Sequence, residues 1–214
     1  MSRTLTPSRL ADRTTRDRGA LDALLDEVLV AHVGLSLDEG PLVIPTGFAR
    51  DGDRLLLHGS TGSRWMRALA AGVPVCVTVT AVDGIVVARS GFESGTHYRS
   101  ACLFGTCTVL DGADAVRALD VFVDRMLPGR SAEVRPSTAK ELAATLVLAL
   151  PIAEWSLKTA DGFAEDAPSD LAGDAWAGVV PLFTGYGEPV ASPDLRVGIP
   201  VPASVAALPD HRGR

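Results

Sequence analysis

The sequence predicts an α+β fold whose sheet is antiparallel and curls into a barrel or a sandwich. Short apolar runs recur with turn signals at intervals of about ten residues. Most are joined by tight hairpin dipeptides, and the interval 42–110 holds no repeated β–α–β crossover. Helical apolar patterns interrupt the runs, which makes the class α+β rather than all-β.

Taken in order, Leu21, Leu24, Leu25, Val28 and Leu29 recur at helical spacing and predict an amphipathic helix over 19–31. The runs 32–37 and 42–49 read as strands on either side of the turn Asp38-Glu39-Gly40. Asp51-Gly52 predicts a hairpin into a third run that ends at His58. A Gly/Ser/Thr loop then opens a helix that stops near Gly72 and Pro74. Strands are expected over 75–82 and 85–90 around a turn at Asp83-Gly84, then over 98–110. A helix over 113–127 would turn Val116, Leu119, Phe122, Val123 and Met126 to one face. A short helix over 138–145 and a last long strand over 146–158 follow. Beyond them lie an acidic loop (Asp161, Glu165, Asp166, Asp170), the segment DAWAGVVPLF and a proline-rich tail.

At 214 residues, one domain can bury roughly 70% of the surface of its unfolded chain. Mean hydropathy is +0.22, yet no run reaches the ~20 apolar residues of a membrane span. The apolar surplus therefore suits a core plus an oligomer interface. A net charge of -6 argues against nucleic acid as partner. The N-terminal arm is locally basic through Arg3, Arg9, Arg13, Arg16 and Arg18, but lacks the aromatics that stack on bases. It reads as a flexible or docking tail. The arm has no apolar h-region, and Cys76, Cys102 and Cys107 fit a reducing compartment, so a cytoplasmic protein is expected. The thiols read as ordinary buried side chains; Cys102 and Cys107, five apart in one strand-like run, fall on opposite faces.

The stretch LLLHGSTGSRWMRAL (55–69) carries the main chemical signal. Gly59 and Gly62 are too close for a P-loop, and GxGxxG is absent. What remains is a helix N-terminus with hydroxyls on Ser60, Thr61 and Ser63 and the guanidinium of Arg64. Those parts suit a phosphate; they equally suit plain N-capping with Arg64 in solvent. His58 beside the loop is a candidate proton donor or a structural histidine. His32, at a helix-to-strand boundary, reads as packing or a cap, and His211 lies in the tail. His97 precedes Tyr98-Arg99-Ser100 in a polar loop that is either a second site wall or a connector. HExxH, CxxC and GxSxG are missing, so neither a metal site nor nucleophilic hydrolysis is indicated.

In order and spacing, VIPTGFARDGDRLLLHGSTGSRWMRAL, VCVTVTAVDGIVVARS, HYRSACLFG, WSLK and DAWAGVVPL resemble the pyridoxamine 5′-phosphate oxidase-like flavoproteins. The resemblance is to the branch related to nitroimidazole-resistance reductases and runs from about Asp26 to about Phe183. It implies an FMN-binding split β-barrel over 19–183, between the arm (1–18) and the tail (184–214), assembled as a homodimer with FMN at the interface. Ser63 and Arg64 then match a phosphate-binding pair. Ile44, Pro45 and Thr46 match a strand facing the isoalloxazine, and His58, Gly59 and Ser60 the strand end beside it. Arg99 and Ser100 match a polar pair near the ring, Lys158 a lysine closing the site, and Trp176 a tail residue covering it. Function follows as electron transfer from a reduced nicotinamide or other donor to a small molecule, with His58 as proton donor. Where relatives carry Lys-x-Arg-Thr-Gly, this chain has Lys158-Thr159-Ala160-Asp161-Gly162, and the oxidase's lysine-rich phosphate grip is reduced to Arg64. Pyridoxamine phosphate is therefore not carried over as substrate. Other relatives hold haem, for which His97 or His58 offers a ligand, or the deazaflavin F420. A non-catalytic flavin-binding or sensor protein is the remaining reading.

Overall fold

The computed structural model describes residues 13–208. Arg3, Arg9 and His211 lie outside them. The elements in chain order are β1 (Thr14–Thr15), α1 (Arg18–Glu27), β2 (Val30–Leu37), β3 (Gly40–Gly47), β4 (Ala49–Asp51), β5 (Arg54–Ser60) and α2 (Arg64–Ala70). Then come β6 (Val75–Val87), β7 (Gly95–Gly105), β8 (Thr108–Leu110), α3 (Gly112–Met126) and α4 (Ala139–Ala143). The chain finishes with β9 (Thr145–Pro151), β10 (Glu154–Ala160), β11 (Gly178–Pro181) and α5 (Ala203–Ala206).

All strand pairings are antiparallel and fall into two sheets that do not close on each other, a split barrel. The larger runs β1-β10-β7-β6-β2-β3, with β11 added to the far half of β6; the smaller runs β4-β5-β9-β8. Between them lies the main core, where Leu55, Leu57, Leu148 and Leu150 of the small sheet meet Val33, Val77, Val79, Ala101, Leu103 and Leu157 of the large one. Leu21, Leu24 and Leu25 of α1 join that core, as their helical spacing predicts. The other side of the small sheet packs Leu56, Val147 and Ala149 on Ala118 and Phe122 of α3.

Several boundaries differ from the sequence reading, each for a local reason. Asp83-Gly84 is not a turn: β6 runs through it with a register shift between Val82 and Gly84. The glycine is needed because a Cβ there would lie 3.1 Å from the Val180 carbonyl oxygen of β11. The run 98–110 breaks at Gly105, where a Cβ would lie 3.0 Å from Leu150 Cδ1, so a side chain there would have to push Leu150 aside. Cys107 therefore leaves the strand and enters the core, so alternation along one strand does not describe the cysteines. The run 146–158 is two strands in different sheets; the chain changes layer at Ile152, whose amide donates to the Asp53 carbonyl at 2.8 Å. Helix α1 stops at Glu27, because Val30 already belongs to β2. On α3 the inward side chains are Ala118 and Phe122, whereas Met126 is exposed.

Both ends of the described chain dock. Thr14 and Thr15 pair with Lys158 and Leu157, and Asp17 caps α1 through the Gly19 amide. Ser204 of α5 is buried, its hydroxyl donating to Glu133. No helix among the described residues is long and apolar enough to cross a membrane.

Leu57 is fully buried at the junction of the sheets. Leu57→Ala is expected to lower unfolding free energy by about 2–5 kcal/mol in a urea titration. A loss below about 1 kcal/mol would mean that the two sheets do not share this core.

Candidate functional site

Strand alternation gives the large sheet a core face and an outer face. On the outer face the registers align Thr14, Lys158, Ser100 and Thr80 in one row across β1, β10, β7 and β6. Ser100 and Thr80 share a hydrogen bond of 2.9 Å. The Lys158 ammonium lies 5.6 Å from the centre of the Tyr98 ring, in the next position along the same face. Thr14 Oγ1 is buried and has no hydrogen-bond partner among the described residues. A buried hydroxyl left without a partner costs roughly 1–3 kcal/mol, so this row is short of an acceptor.

The neighbouring row holds Ser156, Cys102, Thr78, His32 and Pro45. His32 is thus in mid-strand and exposed, not at a helix boundary. Cys102 is half-buried and shares hydrogen bonds with Cys76 and Ser156. Chiefly through Cys76, its thiol is lowered to about 7, whereas burial pushes Cys107 up to about 11. The cysteines are therefore not alike: Cys107 alone is an inert core thiol.

The segment after β5 is built around Gly59. A Cβ there would sit 3.0 Å from Met66 Cγ, so the glycine lets α2 press onto the strand. Ser60 Oγ accepts from the Gly62 amide at 3.1 Å, and its carbonyl accepts from Ser63. Ser63 occupies the N-cap of α2, yet its side chain makes no capping bond. The first-turn amides of α2 therefore lack the usual side-chain acceptor. Arg64 beside them pairs with Glu39, both side chains being mostly exposed. Of the two readings of this loop, the structure removes capping by Ser63 and retains a basic, amide-rich corner.

The remaining candidates are scattered. Register puts Arg99 on the face opposite Ser100, where it is gripped by Asp83 and Glu27. Ile44 lies opposite the core residue Val33 and Thr46 opposite Ala31, while Pro45 falls on the outer side of edge strand β3. His58 projects toward α3, its ring meeting Phe122 edge-on with centroids 4.3 Å apart. Burial on that side holds its pKa below the ordinary 6.5. Trp176 is exposed, with its ring over Gly178.

A cleft of about 500 Å³ opens between residues 92–98 and 160–165, with Arg13 at its edge. His97 stands in it, its Nε2 2.8 Å from the Gly162 carbonyl. Asp166, buried beneath, accepts from the Arg89 amide and guanidinium at 2.8 Å and anchors this strap. Sequence reasoning missed Thr14, Thr80 and Arg13. The two-residue β1 has no periodicity of its own, and Thr80 is marked only by alternation within its run.

A sequence profile for the family described as pyridoxamine 5′-phosphate oxidase matches residues 17–159. Among solved structures, the chain is similar to an FAD- and haem-binding protein from Mycobacterium smegmatis, at 52% identity and a TM-score of 0.89 over 92% of this chain and 97% of that one. It is also similar to the flavocytochrome Anf3 from Azotobacter vinelandii, at 35% identity and a TM-score of 0.89 over 95% of each chain. A candidate 5-nitroimidazole antibiotic resistance protein from Bacteroides thetaiotaomicron shares the fold, at 18% identity and a TM-score of 0.58 over 68% of this chain and 85% of that one. No curated protein sequence matches the chain.

Because His58 takes a proton less readily folded than unfolded, stability should fall as pH drops through 6.5 toward its folded pKa. An NMR titration of the His58 ring should give a midpoint below 6.5, moving upward in Phe122→Leu; a midpoint at or above 6.5 refutes the desolvated site. At pH 7.5, brief iodoacetamide treatment followed by peptide mass spectrometry should find Cys102 alkylated well ahead of Cys107. Equal labelling would contradict the opposed shifts.

Proposed function

Because the chain belongs to the pyridoxamine 5′-phosphate oxidase family, we propose that it is an electron-transfer flavoprotein that binds a flavin together with a haem. It would pass electrons from a reduced nicotinamide or other donor to a small-molecule acceptor. The observation that carries the reading is the outer-face row, where the unpartnered Thr14 hydroxyl, the Lys158 ammonium and the Ser100–Thr80 pair converge. Such donors suit the carbonyl-rich edge of an isoalloxazine, held against a sheet face of mixed polarity. The phosphate end fits the corner at Ser63 and Arg64, where amides await an acceptor. When bound, the flavin supplies exchange between two-electron and one-electron chemistry.

FAD is preferred to FMN, since the 52% identical relative binds FAD. Haem is included because that relative binds it and the 35% identical one is a flavocytochrome. For the chain's own residues the roles are modest: Arg64 neutralises phosphate, Lys158 places positive charge at the ring, and Thr14 and Ser100 orient it. His58 is exposed apart from its edge-on contact with Phe122, which holds its pKa below 6.5, and it would act in proton transfer through its free edge. A second copy of the chain would cover the outer face, where Val43 and Val82 are exposed at 62% and 52%. A cytoplasmic setting suits its reduced thiols.

The test is the visible spectrum of the purified protein, with the released flavin identified by chromatography. Flavin bands plus a Soret band, with FAD released, support the reading; a colourless protein that binds neither added flavin nor haem refutes it. Arg64→Ala is expected to weaken flavin binding about 10- to 150-fold, since a charged hydrogen bond contributes about 1.5–3 kcal/mol. Unchanged affinity would free that corner from any phosphate role.

A further inference from the structure

We propose that Cys76 and Cys102 form a reversible dithiol–disulfide site on the outer face of the large sheet, with a low-molecular-weight disulfide as its oxidant. Three observations carry it. The registers bring the two side chains together: Cys76 of β6 lies opposite Phe104 of β7, and Cys102 of β7 opposite Thr78 of β6, so the cysteines are diagonal neighbours. Both point away from the core and both are half-buried. The thiols are already within reach of each other, since they share a hydrogen bond, and Ser156 of β10 adds another to Cys102. Finally, the neighbour of Cys76 on β2 is Gly34, which has no side chain to cover the thiol. Cys107, buried in the core, stands apart from this constellation.

The hydrogen bonds divide the roles. Donors stabilise a thiolate, so the Cys76 S–H and the Ser156 hydroxyl, both directed at Cys102, hold that thiol at about 7. Cys102 is therefore the sulfur that is substantially ionised at neutral pH, and the thiolate is the reactive form. A thiol whose pKa lies near the ambient pH also combines ionisation with nucleophilicity. Cys76, the donor, is the resolving sulfur. On the same face His32 stands beyond Thr78, while Glu154 and Lys158 flank Ser156 two residues away on either side. None of these three charges sets the Cys102 pKa.

The step needs only the two thiols and the small disulfide R–S–S–R. The Cys102 thiolate attacks one sulfur, the S–S bond breaks, and the first R–S⁻ leaves and takes a proton from water. The Cys76 thiol then gives up its proton and attacks the Cys102 sulfur of the mixed disulfide, expelling the second R–S⁻, which is protonated in turn. Two electrons pass from the protein to the small disulfide, leaving one Cys76–Cys102 bond and two R–SH. Diagonal neighbours on paired strands lie roughly 7–8 Å apart at Cα, whereas a disulfide spans roughly 4.4–6.8 Å. The strands must draw together to close the bond, and a bond closed against the sheet is reduced more easily than a structural one. Excess thiol therefore reopens it.

The experiment uses the full chain, reduced with dithiothreitol, freed of it and treated with bis(2-hydroxyethyl) disulfide. Of its three thiols, two should be lost, and non-reducing peptide mass spectrometry should find residues 76 and 102 linked. Excess reduced glutathione should restore all three. The rate of thiol loss should rise with pH through about 7. Cys76→Ser should stop at a mixed disulfide on Cys102. At pH 7, Cys102→Ser should slow thiol loss at least about tenfold, because an ordinary thiol is only a few per cent ionised there. Cys107→Ser should alter none of these results. The proposal is overturned if the wild-type chain does not react, if its Cys102 adduct persists without a bridge to Cys76, if the bridge joins two chains, or if Cys102→Ser reacts as fast as wild type. Should a serine variant misfold by circular dichroism, the wild-type peptide map decides alone. None of these readouts depends on flavin or haem uptake, so this inference and the proposed function fail separately.

Discussion

The architecture hangs on the alternation of one strand, β6. Over thirteen residues it pairs with β2, β7 and β11. Val75, Val77 and Val79 point into the core between the sheets, and Cys76, Thr78 and Thr80 point out. Because register is fixed by that buried valine series, a slip of one residue would bury threonines and expose valines. The same register sets Thr80 beside Ser100 and, two strands further, Thr14 beside Lys158. Packing on one face therefore positions the polar row on the other. The shift between Val82 and Gly84 lets the strand bend where β11 crosses, and it turns Asp83 toward Arg99.

How far this was legible in the sequence differs by kind of signal. Elements with a strong period were readable: the α1 leucines, the Asp51-Gly52 hairpin and the valine series of β6 all behave as their spacing predicts. Glycines were misread where their role is closeness rather than a turn. Gly84 and Gly105 have partners distant in sequence, Val180 and Leu150, which no local pattern reveals. The strand pair β9–β10 read as one because an apolar run does not announce a change of sheet; that change depends on the Ile152–Asp53 bond. The candidate site residues came from family resemblance and not from physics. Strand alternation divides Arg99 from Ser100, and Pro45 from Ile44 and Thr46. Thr14 and Arg13 lay in an arm with no periodic signal at all.

The distribution of charge is consistent with an anionic cofactor despite the acidic total. Most arginines on the described surface are already matched: Arg54 and Arg117 with Asp51 and Asp114, Arg50 with Asp26, Arg99 with Asp83 and Glu27. The Arg54 and Arg117 pair holds Asp51 down to about 2. These clusters fix α1 and α3 to the hairpins beneath them and leave little net field. Lys158, by contrast, is spent on an aromatic ring rather than on a carboxylate, so its charge remains for a ligand on the outer face.

Arg64 is the instructive intermediate. It has a carboxylate partner, Glu39, which argues at first sight against a role in holding phosphate. The magnitudes decide otherwise. Both side chains are mostly in water, and an exposed pair of this kind contributes about 0–1 kcal/mol. A phosphate at the α2 N-terminus would gain a charge-assisted bond of about 1.5–3 kcal/mol from the same guanidinium, before any contribution from the first-turn amides that Ser63 leaves uncapped. On the proposed reading the pair would therefore yield to a phosphate. Glu39 lies in the β2–β3 turn, so the bond holds Arg64 near that turn, and releasing it needs a rotation of exposed side chains rather than a movement of α2.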